Sequence, residues 1–226
     1  MAKAKGRPKI YKGVVVEFDF TVLDGAKLLF ETTKKLLKQY DVELTPRLEA
    51  MHLSGGNYHG ALAELFEKFG KKVDAAALAR ELNIQFNAAV AQASPKAITQ
   101  GFRNFYKALV EKDVKVVVTT RGDASALGAA INDERVALYA ANSGTYGNCK
   151  WDVWVRACRK NGLHEMLTTA VAGSGFGVKS ALLAGMSALG VVNDRVAWQD
   201  FGGADVVVDG LDKKAADLVL KMLKVP

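Results

Sequence analysis

Several residues that can carry charge or move a proton follow a short apolar run near the start of the chain. Val14–Val16 is an uninterrupted run of β-branched residues, and Glu17, Asp19, Thr21 and Asp24 come directly after it. The valines predict a strand that is covered on both faces, as in a parallel sheet. Open α/β sheets bind ligands beyond the carboxyl ends of their strands. Because a buried unpaired carboxylate is very costly, these acids either gather around a cation or a partner, or mark an ordinary strand end.

Three further positions carry groups that suit anion or metal chemistry. The run Lys115–Thr120 predicts a second buried strand that ends in two hydroxyls, the first of them Thr119. Lys179 follows the glycine-rich stretch 173–177, where a phosphate-binding P-loop is excluded because Val178 separates the lysine from the last glycine. At the start of a predicted helix, a lysine can meet an anion beside free backbone donors, although an exposed lysine after a flexible loop gives the same pattern. Asp200 follows another predicted strand.

The elements that position these residues follow from hydrophobic periodicity. After the first strand, the pattern predicts only helices, at 25–39, 47–53, 58–69 and 74–92. Helices and strands then alternate, with helices at 98–111, 123–131, 151–161, 180–189 and from 212, and strands at 115–120, 136–141, 169–172, 196–199 and 204–209. This order predicts an α/β fold, a doubly wound, Rossmann-like parallel sheet with an inserted α-helical cap domain. The predicted divisions are a basic flexible tail at 1–12, an α/β core at 13–24 and 96–226, and a helical cap at 25–95.

The composition is that of an ordinary globular protein. The chain has 226 residues, of which 50% are hydrophobic and 24% charged, enough for a sizeable core. Cys149 and Cys158 show neither a disulfide framework nor a zinc-site spacing, so we expect reduced thiols. The sequence has no secretory signal and no apolar run long enough to cross a membrane. A cytoplasmic, or at least intracellular, location without membrane contact is therefore expected.

Much of the formal net charge of +7 lies in a basic tail that precedes the first acid. The cations of this tail are Lys3, Lys5, Arg7, Lys9 and Lys12. The stretch 5–9 resembles the Gly-Arg-Pro centre of an AT-hook, which places arginine in the minor groove of A·T-rich DNA. A general attraction to polyanions and a solvated tail without a specific partner are the alternatives.

Taken together, the acid-rich strand end, the helical block, the hydroxyl-ended strand, the lysine and the later aspartate resemble the haloacid dehalogenase (HAD) superfamily. The resemblance is to its helical-cap (C1-type) branch, which includes phosphatases similar to phosphoglycolate phosphatase and β-phosphoglucomutase. The first motif of these phosphatases is D-x-D-G-T-L-x-D, in which one aspartate attacks phosphorus, the next protonates the leaving group, and Mg²⁺ neutralises charge. The resemblance implies a phosphorylated small molecule as substrate.

The resemblance also assigns roles to particular residues. Glu17 stands at the position of the nucleophile and Asp19 at that of the acid, with Thr21 and Asp24 matching the end of the first motif. The implied roles elsewhere are a phosphate-binding hydroxyl at Thr119, a charge-balancing lysine at Lys179, and a magnesium site formed by Glu17, Asp19 and Asp200.

Departures from the family pattern affect the chemistry. Glu17 replaces aspartate, and its extra methylene moves the carboxylate by about 1.5 Å, where an error of about 1 Å can cost about a hundredfold in rate. Phe20 replaces a flexible glycine, and Ser180 replaces the frequent proline after the lysine. The interval between Asp200 and Gly203 is too short for the usual metal loop and its second acid, while 133–150 resembles an added segment.

A shifted register offers an alternative interpretation of the first motif. With Asp19 as nucleophile, Thr21 completes the D-x-T start of ion-pumping ATPases, but Leu23 then stands where threonine is required and the match to Asp24 is lost.

Three functions follow as hypotheses. The favoured one is a HAD-fold protein with a degenerate phosphatase site, catalytically impaired, that acts as a binding or structural component of an assembly. The alternative is an active Mg²⁺-dependent phosphatase of small phosphorylated metabolites, favoured by the intact Asp19, Thr119, Lys179 and Asp200. The third, a DNA-associated module, depends on the basic tail alone.

Overall fold

A parallel sheet of six strands forms the centre of the molecule. In the computed structural model, which describes residues 11–53, 58–141 and 150–226, the strands are β1 (Tyr11–Glu17), β2 (Lys115–Thr120), β3 (Val136–Ala140), β4 (Leu163–Ala172), β5 (Ser187–Val191) and β6 (Val206–Val208). Their order across the sheet is β3-β2-β1-β4-β5-β6, and every neighbouring pair is parallel. The acid-bearing strand β1 therefore lies between β2 and β4, in the middle of the sheet.

Helices surround this sheet and fill the interval between β1 and β2. They are α1 (Phe18–Thr21), α2 (Gly25–Lys38), α3 (Pro46–Leu48), a π-helical turn (Glu49–Leu53), α4 (Tyr58–Lys68), α5 (Ala75–Ala93), a 3-10 turn (Ser94–Ala97), α6 (Gln100–Val110), α7 (Ala124–Ile131), α8 (Trp151–Lys160), α9 (Gly175–Leu183) and α10 (Lys213–Met222). Aspartate side chains cap the amino ends of several helices. Asp24, Asp74 and Asp123 accept hydrogen bonds from backbone N–H groups in the first turns of α2, α5 and α7.

Burial on both faces explains why β1 is central. Val14–Val16 is fully buried, and its residues alternate between two core clusters on opposite faces of the sheet. Phe102 of α6 and Val219 of α10 belong to the larger cluster, whereas Trp154 of α8 belongs to the smaller one. Helices on both faces of a parallel sheet confirm the predicted doubly wound fold.

Four helices from α2 to α5 lie between β1 and β2, as the sequence predicts. In the described parts of residues 22–114, which exclude 54–57, no strand interrupts them. Their apolar faces are buried at positions such as Leu62, Leu82 and Phe86. We call residues 25–93 the helical segment; its identity as a separate cap domain with bounds at 25 and 95 stays a prediction.

Two predicted elements in the second half of the chain are wrong. The predicted helix 180–189 is instead the end of α9 followed by β5, because Gly185 turns the chain with a φ of +79° and the apolar run after it pairs with β4. The predicted strand 196–199 is a turn, in which the Gln199 N–H donates to the Val196 carbonyl. Asp200 consequently lies in the connection between β5 and β6 and does not end a strand.

The first strand begins two residues earlier than predicted. Tyr11 and Lys12 belong to β1, and the Lys12 ammonium donates to the Lys224 carbonyl at 2.8 Å, so this lysine is not part of a tail. Lys3, Lys5, Arg7 and Lys9 lie outside the described residues, as do Cys149 and the predicted loop at 142–148. Within the described parts of the chain, no helix has the length and apolarity needed to span a membrane.

The close approach of α2 to α1 makes a stability prediction. A Cβ atom at Gly25, the first residue of α2, would lie 2.0 Å from the backbone oxygen of Asp19. We expect Gly25→Ala to lower the free energy of unfolding in urea by about 2 kcal/mol or more, since backbone cannot move aside as a side-chain tip can. The control is Gly210→Ala, at an exposed glycine where an added Cβ meets nothing within 4 Å. Equal effects of the two substitutions would contradict the prediction.

Candidate functional site at the carboxyl ends of three central strands

The two acids of the first motif lie together at the carboxyl end of β1, and both are buried. Glu17 is the last residue of the strand and pairs in register with Thr119 of β2. The single helical turn α1 follows at once and carries Asp19. Glu17 and Asp19 are 2% and 3% exposed, so each carboxylate requires polar partners from the protein itself.

Asp19 receives its partners from the end of β2. The Thr120 hydroxyl donates to Asp19 Oδ1 at 2.7 Å, and the Arg121 backbone N–H donates to Oδ2 at 2.6 Å. The Gly122 backbone N–H in turn donates to Thr120 Oγ1 at 3.0 Å, which fixes the orientation of that hydroxyl. Both oxygens of Asp19 are therefore engaged by donors.

Glu17 receives a partner from the end of β4. The backbone N–H of Gly173, the residue after the strand, donates to Glu17 Oε2 at 3.1 Å. The first turn of α9 lies close to the same oxygen, because a Cβ atom at Gly177 would be only 3.2 Å from it. The β4 end that adjoins Glu17 thus carries Ala172 and Gly173, neither of which has a carboxylate.

Other residues of the first two motifs have structural contacts. The Thr119 hydroxyl, predicted to bind phosphate, donates to the Val16 carbonyl within the sheet at 2.9 Å. The Thr21 hydroxyl donates to the Glu17 carbonyl at 2.9 Å. Asp24 caps α2 by accepting from the Lys27 N–H. Phe20 is 4% exposed and packs against Phe86 of α5.

Lys179 and Asp200 do meet, but as a pair on the surface. Lys179 lies inside α9, where its ammonium is 2.9 Å from Asp200 Oδ2, and the two side chains are 55% and 70% exposed. Asp200 does not end a strand as predicted, because the connection that holds it follows β5, two strands away from β1. Its role as a metal ligand stays a prediction. Lys179 lowers the pKa of Asp200 by donating to it, as in an ordinary surface ion pair.

The contacts described around Glu17 and Asp19 do not form a Mg²⁺ site. This ion takes about six oxygen ligands in strict octahedral geometry, whereas hydrogen-bond donors approach the two buried carboxylates here. A backbone N–H presents its positive end and cannot ligate a cation. In the part of the chain that the structure describes, no three His, Cys, Asp or Glu side chains are grouped so that they could hold a metal ion.

Three contributors to the site escaped the sequence analysis. Thr120, Arg121 and Gly173 hold the carboxylates, whereas the sequence pattern indicates only their neighbours. The two adjacent threonines of β2 gave no signal for choosing between them. Arg121 also sends its guanidinium to Asn83 and Asn87 of α5, at 2.8 and 3.3 Å, a contact between segments that sequence spacing does not reveal.

Burial raises the pKa of Asp19 to about 6. The largest cause is the loss of water around the carboxylate, which the hydrogen bonds from Thr120 and Arg121 and the positive charge of Arg121 only partly offset. A carboxyl group with this pKa is partly protonated near neutrality, so it could donate a proton.

No protein-family model and no curated protein sequence matches this chain. Solved structures do match its fold. The chain is 14% identical to β-phosphoglucomutase from Clostridium difficile, with a TM-score of 0.71 over 95% of this chain and 98% of the other. It is 16% identical to a phosphonoacetaldehyde hydrolase-like protein from Oleispira antarctica, with a TM-score of 0.68 over 100% and 96%. It is 15% identical to CbbY from Rhodobacter sphaeroides in complex with phosphate, with a TM-score of 0.63 over 89% and 95%.

These similarities confirm the fold that the sequence resemblance implies. The chain has the fold of the HAD-type hydrolases, with a Rossmann-like parallel sheet and helices inserted after the first strand. Identities of 14–16% establish the fold alone.

The raised pKa of Asp19 predicts a pH-dependent stability. Between its ordinary pKa of 3.8 and the folded value of about 6, the folded state binds more protons than the unfolded state, so stability falls as the pH rises. We expect Asp19→Asn, which removes this charge, to gain stability over wild type between pH 4 and pH 7 by about 3 kcal/mol. Urea unfolding across this range measures the difference.

The control for this experiment is Asp41→Asn, which removes one charge where the side chain is 96% exposed. If the difference in unfolding free energy between Asp19→Asn and wild type did not change with pH, burial would not destabilise the charged form of Asp19, contrary to the prediction. A difference of opposite slope would also contradict it, and would indicate a cation that holds the carboxylate in its charged form.

Proposed function

We propose that this chain is a HAD-fold protein without phosphatase turnover, which acts as a binding or structural component. The observation that carries the proposal is the state of the two buried acids: Glu17 and Asp19 accept hydrogen bonds from the strand ends around them. We therefore expect these donors to stabilise the carboxylates of the protein and not the phosphate of a ligand.

The position of Glu17 argues against nucleophilic attack. In-line displacement needs the attacking oxygen within about 3.5 Å of phosphorus and correctly oriented. Glu17 is 2% exposed, and its Oε2 is occupied by Gly173 N–H and crowded by the first turn of α9. A phosphoryl group could reach this oxygen only if the surrounding backbone moved.

The end of β4 argues against magnesium. An acid at this point could complete a cation site with Glu17, but the residues there are Ala172 and Gly173. A Cβ atom at Gly173 would lie 1.9 Å from the Phe20 carbonyl oxygen, so a carboxylate side chain does not fit without backbone displacement. The loss of the metal site is thus supported by packing as well as by residue type.

An active phosphatase is the second candidate, because one observation favours it. A carboxyl group whose pKa is about 6, as in Asp19, suits the general acid that protonates a leaving group near neutrality. This candidate keeps the roles that the sequence resemblance implies for Thr119, Lys179, Asp200 and Mg²⁺, and it requires Thr119 and the Lys179–Asp200 pair to leave the contacts described above. The structural neighbours include a HAD family hydrolase from Deinococcus radiodurans that was solved with bound phosphate and sodium.

Turnover assays separate the two candidates. With Mg²⁺ and either an aryl phosphate or a panel of sugar phosphates, we expect wild type to give the rate of the enzyme-free blank. Glu17→Asp should not rescue it, since it restores the residue type of the nucleophile but neither frees the donors nor adds an acid at β4. Mg²⁺ should leave the melting temperature unchanged.

The matched control for the assay is Asp19→Asn, which removes the proposed acid and keeps an oxygen for the Arg121 N–H. Magnesium-dependent hydrolysis by wild type that Asp19→Asn abolishes would overturn the proposal and establish the phosphatase. Rescue by Glu17→Asp would instead show that the donors and the cation site are intact.

The partner expected from the sequence belongs to the same proposal. Lys3, Lys5, Arg7 and Lys9 precede β1 and give a cluster of charge suited to a polyanion, within an intracellular location. Replacing these four residues with glutamine should weaken binding to duplex DNA. In a plot of the logarithm of the binding constant against the logarithm of the salt concentration, the slope should become shallower by about 3 to 4.

The control for the tail variant is Lys213→Gln, a cation of α10 that is already paired with Asp217. If the tail variant and the control bind DNA equally well, the basic residues are a solvated tail and the polyanion is not the partner.

A further inference from the structure

One face of α5 points at the mouth of the candidate site. Asn83, Phe86, Asn87 and Val90 recur at helical spacing, so their side chains lie on the same side of the helix. Phe86 and Val90 are fully buried. This face is therefore an interface with the core and not a solvated surface.

An aromatic contact joins this face to the residue after Asp19. The Phe20 and Phe86 rings are 5.9 Å apart between centroids, and both side chains are buried. Phe20 directly follows Asp19, so this contact joins the helical segment to the turn that carries the acid. The backbone after β2 also packs closely against α5, since a Cβ atom at Gly122 would lie 3.1 Å from Ala91 and from Val90.

Arg121 bridges the core to the same face. Its backbone N–H binds Asp19, while its guanidinium donates to Asn83 Oδ1 at 2.8 Å and to Asn87 Oδ1 at 3.3 Å. The planar fork of arginine suits two acceptors one helical turn apart, whereas a lysine would present a single point of charge.

A second arginine bridges the core to the other end of the helical segment. Arg195, in the connection after β5, lies 3.3 Å from Glu49 Oε2 in the π-helical turn, and its guanidinium is 4.0 Å from the centroid of the Phe30 ring in α2. Both members of the ion pair are partly buried, so solvent screens the attraction less than at a fully exposed surface. The two bridges leave from the ends of different strands, β2 and β5.

We propose that the helical segment is a fixed closure, locked over Asp19 by the Phe20–Phe86 contact and by the bridges of Arg121 and Arg195, and not a lid that opens during function. A rigid lid needs an interface that separates at little cost. Here, separation would expose the rings of Phe20 and Phe86. It would also break the contacts that the guanidinium groups of Arg121 and Arg195 make with the helical segment. The inference is argued from these contacts and not from the proposed function. A locked segment would also keep a substrate away from Asp19, so it agrees with the absence of turnover, and thiol labelling tests it separately.

Thiol labelling tests the closure in the full-length protein. Val90→Cys places a small thiol in the interface, and the buried native Cys158, in the core cluster on the other face of the sheet, reports global unfolding. Alkylation with iodoacetamide, read peptide by peptide by mass spectrometry, scores the two thiols separately. For a locked segment, we expect the two thiols to be labelled at rates within about tenfold of each other.

Breaking a bridge should then speed the labelling of the introduced interface thiol alone. We expect Asn83→Ala combined with Asn87→Ala to raise its rate at least tenfold with little change at Cys158, and Arg195→Gln to act in the same direction. The matched control is Gln85→Ala, which lies on α5 between the two asparagines and bonds only to the exposed Glu81 among the contacts described for its side chain.

Three results would overturn the inference. Labelling of the introduced thiol about a hundredfold faster than Cys158 in the protein with intact bridges would show that the segment opens freely. Bridge variants no different from Gln85→Ala would show that the bridges do not hold it. A parallel rise at both thiols would show that these residues stabilise the whole fold and not the closure.

Discussion

The burial of two carboxylates at the end of the central strand β1 is the constraint on which the rest of the candidate site depends. An ionised carboxylate without water must receive hydrogen bonds, and here the ends of the neighbouring strands supply them. Thr120 and Arg121 supply them to Asp19 from β2, and Gly173 supplies one to Glu17 from β4. The strand ends that could have bound a ligand anion are thereby arranged around the anions of the protein itself.

The glycines of the stretch 173–177 follow from the same constraint. The backbone passes so close to its surroundings that a Cβ at Gly173 would strike the Phe20 carbonyl, and one at Gly175 would lie 2.2 Å from the Asp200 carbonyl. From the sequence, this run has two interpretations: a turn that brings Lys179 to an anion at a helix start, or a flexible loop followed by an exposed lysine. In the structure it is a tightly packed connection from β4 into α9, and Lys179 points to the surface. Glycine here indicates close packing rather than freedom of movement.

The sequence predicted the fold better than the site, for a physical reason. Runs such as Val14–Val16 and caps such as Asp74 act locally, so strands, helices and the doubly wound order could be inferred. The local signal failed where two elements competed: the apolar run at 187–191 continues the pattern of α9, and only pairing with β4 makes it a strand. With a strand predicted at 196–199 instead, the sequence places Asp200 at a strand end, whereas the structure places it in the connection after β5. Site residues that depend on contacts across the sheet, Thr120 and Gly173 above all, have no local signature.

The proposed closure by the helical segment and the proposed loss of turnover have one residue in common. Phe20 stands where the family pattern has glycine. Its ring packs against Phe86 and thereby joins the candidate site to α5. In a phosphatase, a bulky side chain beside the acid would occupy space that a substrate requires. In a binding or structural protein, the same side chain adds buried apolar area between two parts of the chain. Phenylalanine in place of glycine therefore reduces access to Asp19 and holds α5 more firmly against the core. This is consistent with a fixed surface for a partner and unfavourable for turnover.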